Sequence, residues 1–120
     1  MKATSPIELI GGVGSPYTRK MVSYLRYRRI PYHIIWGDPA STLDVKKIEK
    51  PKPSLLPTLI LPDENNELKA VTDSTPIIRR LEKEFQDRCT IPNDPVLSFI
   101  NYVLEDFADE WGTKFMFHYR

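Results

Sequence analysis

A chain of 120 residues can build one domain with its own core but not two full ones. With 17 Lys and Arg against 16 Asp and Glu the formal net charge is +1, so bulk electrostatics single out neither nucleic acid nor an anionic membrane as partner. One cysteine, Cys89, precludes an internal disulfide and fits a reducing, cytoplasmic setting.

Met1–Pro6 has no apolar segment of the signal-peptide kind behind it, and no stretch approaches the roughly 20 apolar residues that a membrane span needs. Ile7-Glu8-Leu9-Ile10, closed by Gly11-Gly12, predicts a buried strand. Ser15-Pro16 then opens a helix, because serine caps well and proline suits the first helical position. Tyr17, Met21 and Leu25 give that helix its apolar face, and Arg19, Lys20, Arg26, Arg28 and Arg29 are expected to cover its outer surface. Pro31 ends it, and the aromatic and β-branched run Tyr32–Trp36 predicts a second strand.

Between Gly37 and Pro53 the sequence is polar, with only Leu43, Lys46, Lys47 and Ile48 suggesting a short helix. Leu55–Leu61 is apolar around Pro57, Pro62–Asn66 is rich in turn formers, and Glu67–Thr72 returns as the second arm of a hairpin. Asp73-Ser74-Thr75-Pro76 repeats the cap-and-proline grammar, and Ile78, Leu81 and Phe85 mark the helix behind it. Arg88–Pro95, with two prolines and Asn93-Asp94, predicts a linker, after which apolar residues from Val96 to Trp111 describe one amphipathic helix. The expected order is β-α-β-α-β-β-α, a linker and a further helix.

At this point the residues resemble a known family. Ser15-Pro16-Tyr17-Thr18 resembles the Cys-Pro-Tyr-Cys of glutaredoxins with both cysteines replaced, as in many glutathione transferases, where a basic side chain such as Arg19 or Lys20 follows. Leu56-Pro57 resembles that family's cis-proline step, and Asp73-Ser74 its Glu/Asp-Ser motif. The resemblance implies an α/β thioredoxin-like domain over 1–87, a linker over 88–95, and over 96–120 the start of an all-helical C-terminal domain cut short.

It further implies a glutathione-binding domain with glutathione as co-substrate. Ser15 would be the catalytic residue, its hydroxyl stabilising the glutathione thiolate for addition to a small electrophile. The backbone beside Pro57, at Leu56, would pair with the cysteinyl residue. Ser74 and the helix N–H groups would take the γ-glutamyl carboxylate, and Asp73 its ammonium. Lys52 is the candidate cation for the glycine carboxylate, because Ser54 and Leu55 stand where the family usually has a basic residue. The intact protein is expected to form a homodimer. Plain capping by Ser15 and Ser74, an edge-strand proline at 57 and a solvated Lys52 are the alternatives, and Tyr17, which could compete as the thiolate donor, is expected to pack inside the helix. A transferase-like scaffold without turnover is the rival function.

With no cysteine at 15 or 18, dithiol exchange at this site is excluded. Cys89 reads as a bystander, and His33 and His118 lack neighbours at ligand spacing, so no metal is expected.

Overall fold

The computed structural model describes residues 6–52 and 55–119. Four strands form the sheet: β1 (Ile7–Gly11), β2 (Tyr32–Trp36), β3 (Thr58–Pro62) and β4 (Leu68–Thr72). Their order is β2-β1-β3-β4. β1 and β2 are parallel, in register from Ile7↔Tyr32 to Gly11↔Trp36, while β3 runs antiparallel to both β1 and β4. Helices α1 (Pro16–Arg28), α2 (Pro39–Lys46) and α3 (Ser74–Glu84) complete the thioredoxin-like arrangement.

Strand alternation sends β1 side chains to opposite faces. Ile7 and Leu9 join Leu59, Leu61, Met21, Tyr24, Leu25, Ile30, Ile77, Ile78 and Leu81 in the main cluster between the sheet and α1 with α3. On the other face Ile10 and Ile60 meet Leu43 of α2. β3 is interior to the sheet, so Pro57 does not begin an edge strand. The strand itself starts at Thr58, three residues later than the apolar run Leu55–Leu61 suggests.

The helix ends follow one local grammar. Ser15 and Asp38 cap α1 and α2 with proline directly behind them, and both helices close on left-handed residues, Arg29 (φ 57°) and Lys47 (φ 58°). In each case the next residue's N–H bonds back into the helix, Ile30 to Leu25 O and Ile48 to Leu43 O, both at 3.0 Å. α2 therefore begins at Pro39 and stops before Ile48, earlier than the Leu43–Ile48 signal, because the Asp38-Pro39 pair caps it. Phe85, expected within the third helix, is its extended C-cap.

Arg28 also departs from expectation. It is 3 % exposed, not on the surface. Its guanidinium pairs with Glu82 at 3.0 Å and donates to Tyr24 Oη, Phe85 O and, at 3.0 Å, Asp87 O. Glu82 and these acceptors satisfy the charge, which is what lets an arginine enter a core.

The chain divides into two compact units, Met1–Arg88 and Cys89–Arg120. In the second, Asp94 caps α4 (Pro95–Phe107), accepting from the N–H groups of Val96 (2.8 Å) and Leu97 (3.2 Å). The single helix expected to Trp111 is instead interrupted by a π-helical turn, Ala108–Gly112, and resumes as α5 (Thr113–Tyr119). No residue of α4 is buried. Among the described residues no helix is long and apolar enough to cross a membrane.

Candidate functional site

Sheet register brings three loops to one end of the sheet. β1 exits at Gly11, and its residue Ile10 stands opposite Thr58, where β3 begins. Thr58 in turn faces Thr72, where β4 ends. The start of α1, the Leu56-Pro57 step and the start of α3 therefore lie side by side.

The β1–α1 turn is fixed by small contacts. The Gly12 N–H donates to Thr18 Oγ1 at 3.3 Å, and Thr18 is fully buried. A Cβ on Gly11 would lie 2.4 Å from Thr18 Cγ2, too close for a side chain there, while one on Gly12 would meet Leu56 Cδ1 at 3.0 Å and require that side chain to give by a few tenths of an ångström. Thr18, in the place of a second cysteine, thus anchors the turn. Arg19 holds its outer side, donating to Val13 O at 3.3 Å with its guanidinium 6.0 Å from the ring centre of Trp36. Both are contacts within one turn, six residues apart in sequence, set by the turn's geometry and not by any pattern of residue types.

Ser15 is half-buried, and its Oγ accepts the Thr18 N–H at 3.2 Å. A hydroxyl has two acceptor positions and one donor, so capping leaves its proton available. Capping and ligand binding are compatible at this residue.

The Leu56–Pro57 bond is cis. Leu56 is half-buried, Pro57 is buried, and no hydrogen bond to the Leu56 backbone forms among the described residues. Beside them, Thr58 Oγ1 donates to Leu55 O at 2.7 Å.

Asp73 caps α3 through Oδ1, which accepts the Thr75 N–H at 3.4 Å. Its backbone lies at φ 75°, ψ 114°, a conformation that residues other than glycine rarely adopt. Ser74 is 4 % exposed. Its Oγ accepts from Lys20 Nζ at 3.1 Å, a bond joining α1 to α3 across 54 positions of sequence.

Lys52 lies in the loop after α2. It stands exposed at a bend and makes no hydrogen bond or ion pair among the described residues, whereas Lys50 pairs with Asp44 at 3.1 Å. Ser54 lies outside the described residues. Tyr17 is half-buried within α1, and Cys89 and His33 are exposed. Among the described residues no three His, Cys, Asp or Glu side chains converge as a metal site would require. A concavity of about 460 Å³ along α3, lined by Thr75, Pro76, Arg79, Arg80, Lys83 and Glu84, excludes Ser15, Leu56 and Ser74; the three-loop convergence is the better candidate because it gathers donors and cations from separate elements.

A family model described as "Glutathione S-transferase, N-terminal domain" matches residues 9–88. No curated protein matches the chain in sequence. Among solved structures, a glutathione S-transferase from Methylobacterium radiotolerans in complex with glutathione sulfonate superposes with a TM-score of 0.72 at 26 % identity, covering 88 % of this chain and 47 % of that one. A glutathione S-transferase from Ceriporiopsis subvermispora in complex with glutathione gives 0.60 at 25 %, covering 88 % and 48 %. The Tau class enzyme from mango, Mangifera indica, gives 0.65 at 21 %, covering 91 % and 48 %, a likeness of fold alone. The chain thus spans about half the length of the structures it matches.

Proposed function

The chain belongs to the glutathione S-transferase family, with residues 9–88 forming its N-terminal domain, and from that premise we propose that the three-loop site binds reduced glutathione and stabilises its thiolate for attack on an electrophile. The observation that carries this reading is the convergence of Ser15, the cis Leu56–Pro57 step and Asp73-Ser74 at one end of the sheet. The glutathione-type ligands held by the Methylobacterium and Ceriporiopsis structures support the same ligand class.

In this reading the Leu56 backbone pairs with the cysteinyl residue as an added strand would. Asp73 takes the γ-glutamyl ammonium, and Ser74 with the α3 N–H groups takes its carboxylate. The thiol proton goes to solvent. Ser15 donates a hydrogen bond to the sulfur left behind, and the positive end of α1 adds to its stabilisation. The sulfur lone pair then forms a bond to the electrophilic carbon, whose displaced electron pair leaves with a group or takes up a proton. The electrophile, the homodimer and the cytoplasmic setting belong to the proposal for the intact protein.

One observation favours the rival reading, an interaction module without turnover: Lys52 stands exposed and makes no hydrogen bond or ion pair among the described residues, so nothing described holds it ready for a glycine carboxylate. Ser15→Ala separates the two. A charge-assisted hydrogen bond is worth about 1.5–3 kcal/mol, or about one to two pK units. The thiol pKa of bound glutathione, followed by thiolate absorbance, is expected to rise by that amount in Ser15→Ala. Saturable amide shifts around Ser15, Leu56 and Ser74 that come with an unchanged thiol pKa would leave binding intact and remove the catalytic role of Ser15.

A further inference from the structure

Helices α1 and α3 begin at the three-loop site, and their far ends meet a second cavity. With 13 residues, α1 carries the chain about 20 Å from Ser15 to that end. The cavity holds about 470 Å³ and is lined by Arg28, Arg29, Phe85, Gln86, Asp87 and Arg88, all within the first compact unit.

Three arginines on one concavity repel one another unless something negative joins them. Arg28 is neutralised by Glu82. Arg29 and Arg88 are not: both are exposed, and neither pairs with a carboxylate among the described residues. Arg88 is nonetheless held in place. Its Nε donates to Tyr27 O, and its guanidinium lies 4.5 Å from the ring centre of Tyr27. That leaves its two Nη groups as donors, and Arg29 adds its own fork. Asp87 is the one acid of the lining, and its carboxylate makes no hydrogen bond or ion pair among the described residues. Set against Arg29 and Arg88, it leaves the cavity positive.

We propose that this cavity is an oxyanion site in which Arg29 and Arg88 bind the phosphate group of a small monoester. Two guanidinium forks match a tetrahedral group of about two negative charges. A carboxylate, with one charge and two oxygens, fills only one fork. The volume exceeds what a phosphate alone occupies, and half-buried Phe85 supplies an apolar wall for the organic group that carries it. The site goes beyond the glutathione reading and does not rest on it.

The test titrates the whole chain with inorganic phosphate and with phenyl phosphate at fixed ionic strength, with chloride as the control anion. NMR follows the backbone amides and the arginine Nε–H signals. Both phosphates are expected to give saturable shifts at Arg29, Gln86 and Arg88 in the roughly millimolar range, the ester binding a few-fold tighter. Arg29→Gln and Arg88→Gln should each weaken binding about 3- to 10-fold. Asp87→Asn should strengthen it about 2- to 5-fold by removing a like charge, a gain that a damaged fold does not imitate. Affinity for the ester should fall below about pH 6, where its phosphate takes up a second proton. Shifts that chloride reproduces, or no saturable shifts in wild type, overturn the proposal. So does an Asp87→Asn variant that binds no tighter alongside arginine variants that bind no weaker. Equal affinity for the two phosphates overturns the part assigned to the organic group. Each of these failures leaves the glutathione site standing.

Discussion

The two faces of the sheet are buried to different depths. Between the sheet and α1 with α3, eleven residues form the buried cluster among those described; on the α2 face only Ile10, Leu43 and Ile60 do so, rimmed by half-buried Ile35, Ile48 and Ala70. The candidate site favours the deeper one. Ser15 and Ser74 begin the two helices of the deep face, which are further tied by Tyr24 Oη donating to Ile78 O at 3.4 Å and by Arg28. Lys52 lies in the loop after α2, exposed. Of the candidate site residues, Ser15 and Ser74 thus stand on the better-packed layer.

That contrast can be broken most directly by truncating one leucine on each face. Leu25 and Leu43 are both fully buried. Leu25→Ala is expected to cost about 4–5 kcal/mol and Leu43→Ala about 2–3, the upper and lower parts of the usual range, because α2 can settle over a cavity that α1 and α3 cannot close. Urea unfolding midpoints give both values. Equal losses would mean that the faces differ in area and not in rigidity.

Next in size is the buried ion pair. Arg28→Met strands Glu82 and is expected to cost about 3–4 kcal/mol, while adding Glu82→Leu should recover most of it. The same unfolding curves report both; no recovery in the double variant would mean that the bonds from Arg28 to Phe85 O and Asp87 O matter more than the charge pair.

The smallest effect lies on the shallow face and depends on pH. Hydrogen bonds from Ser41, first its hydroxyl and then its N–H, hold the Asp38 carboxyl below its ordinary 3.8. A depressed carboxylate contributes stability that is present above the ordinary value and lost as pH falls through the lowered one. Asp38→Asn is therefore expected to melt slightly lower than wild type at neutral pH and at the same temperature in strong acid. A gap that persists in acid would assign the effect to cap geometry instead of charge.

Much of this molecule was legible in its sequence because its signals are local. Proline behind a capping residue marks three helix starts, at Ser15-Pro16, Asp38-Pro39 and Asp94-Pro95, and alternation with turn chemistry marks the hairpin. The α2 start is poorly legible because its eight residues carry only one fully buried leucine, too little periodicity to single out Asp38 as a cap. Arg28 read as surface because periodicity assigns a face by residue type, and an arginine enters a core only where partners distant in sequence receive it. The same holds for the site. Ser15, Leu56-Pro57 and Asp73-Ser74 form short motifs, but the bond from Lys20 to Ser74, across 54 positions of sequence, exists only once α1 and α3 have packed on the sheet.

The π-helical turn of the second unit has a geometric effect of its own. Along an α-helix, residues four apart overshoot a full turn by about 40°, so the stripe through Phe107, Trp111 and Phe115 would wind steadily off the side it began on. A turn closed by i→i+5 bonds holds more residues, and the same four-residue step falls short of a full circle. Ala108–Gly112 therefore opposes the drift. For the aromatic rings at 107, 111 and 115, each more than half exposed, the wider turn works against the winding that an uninterrupted helix would give this four-residue stripe.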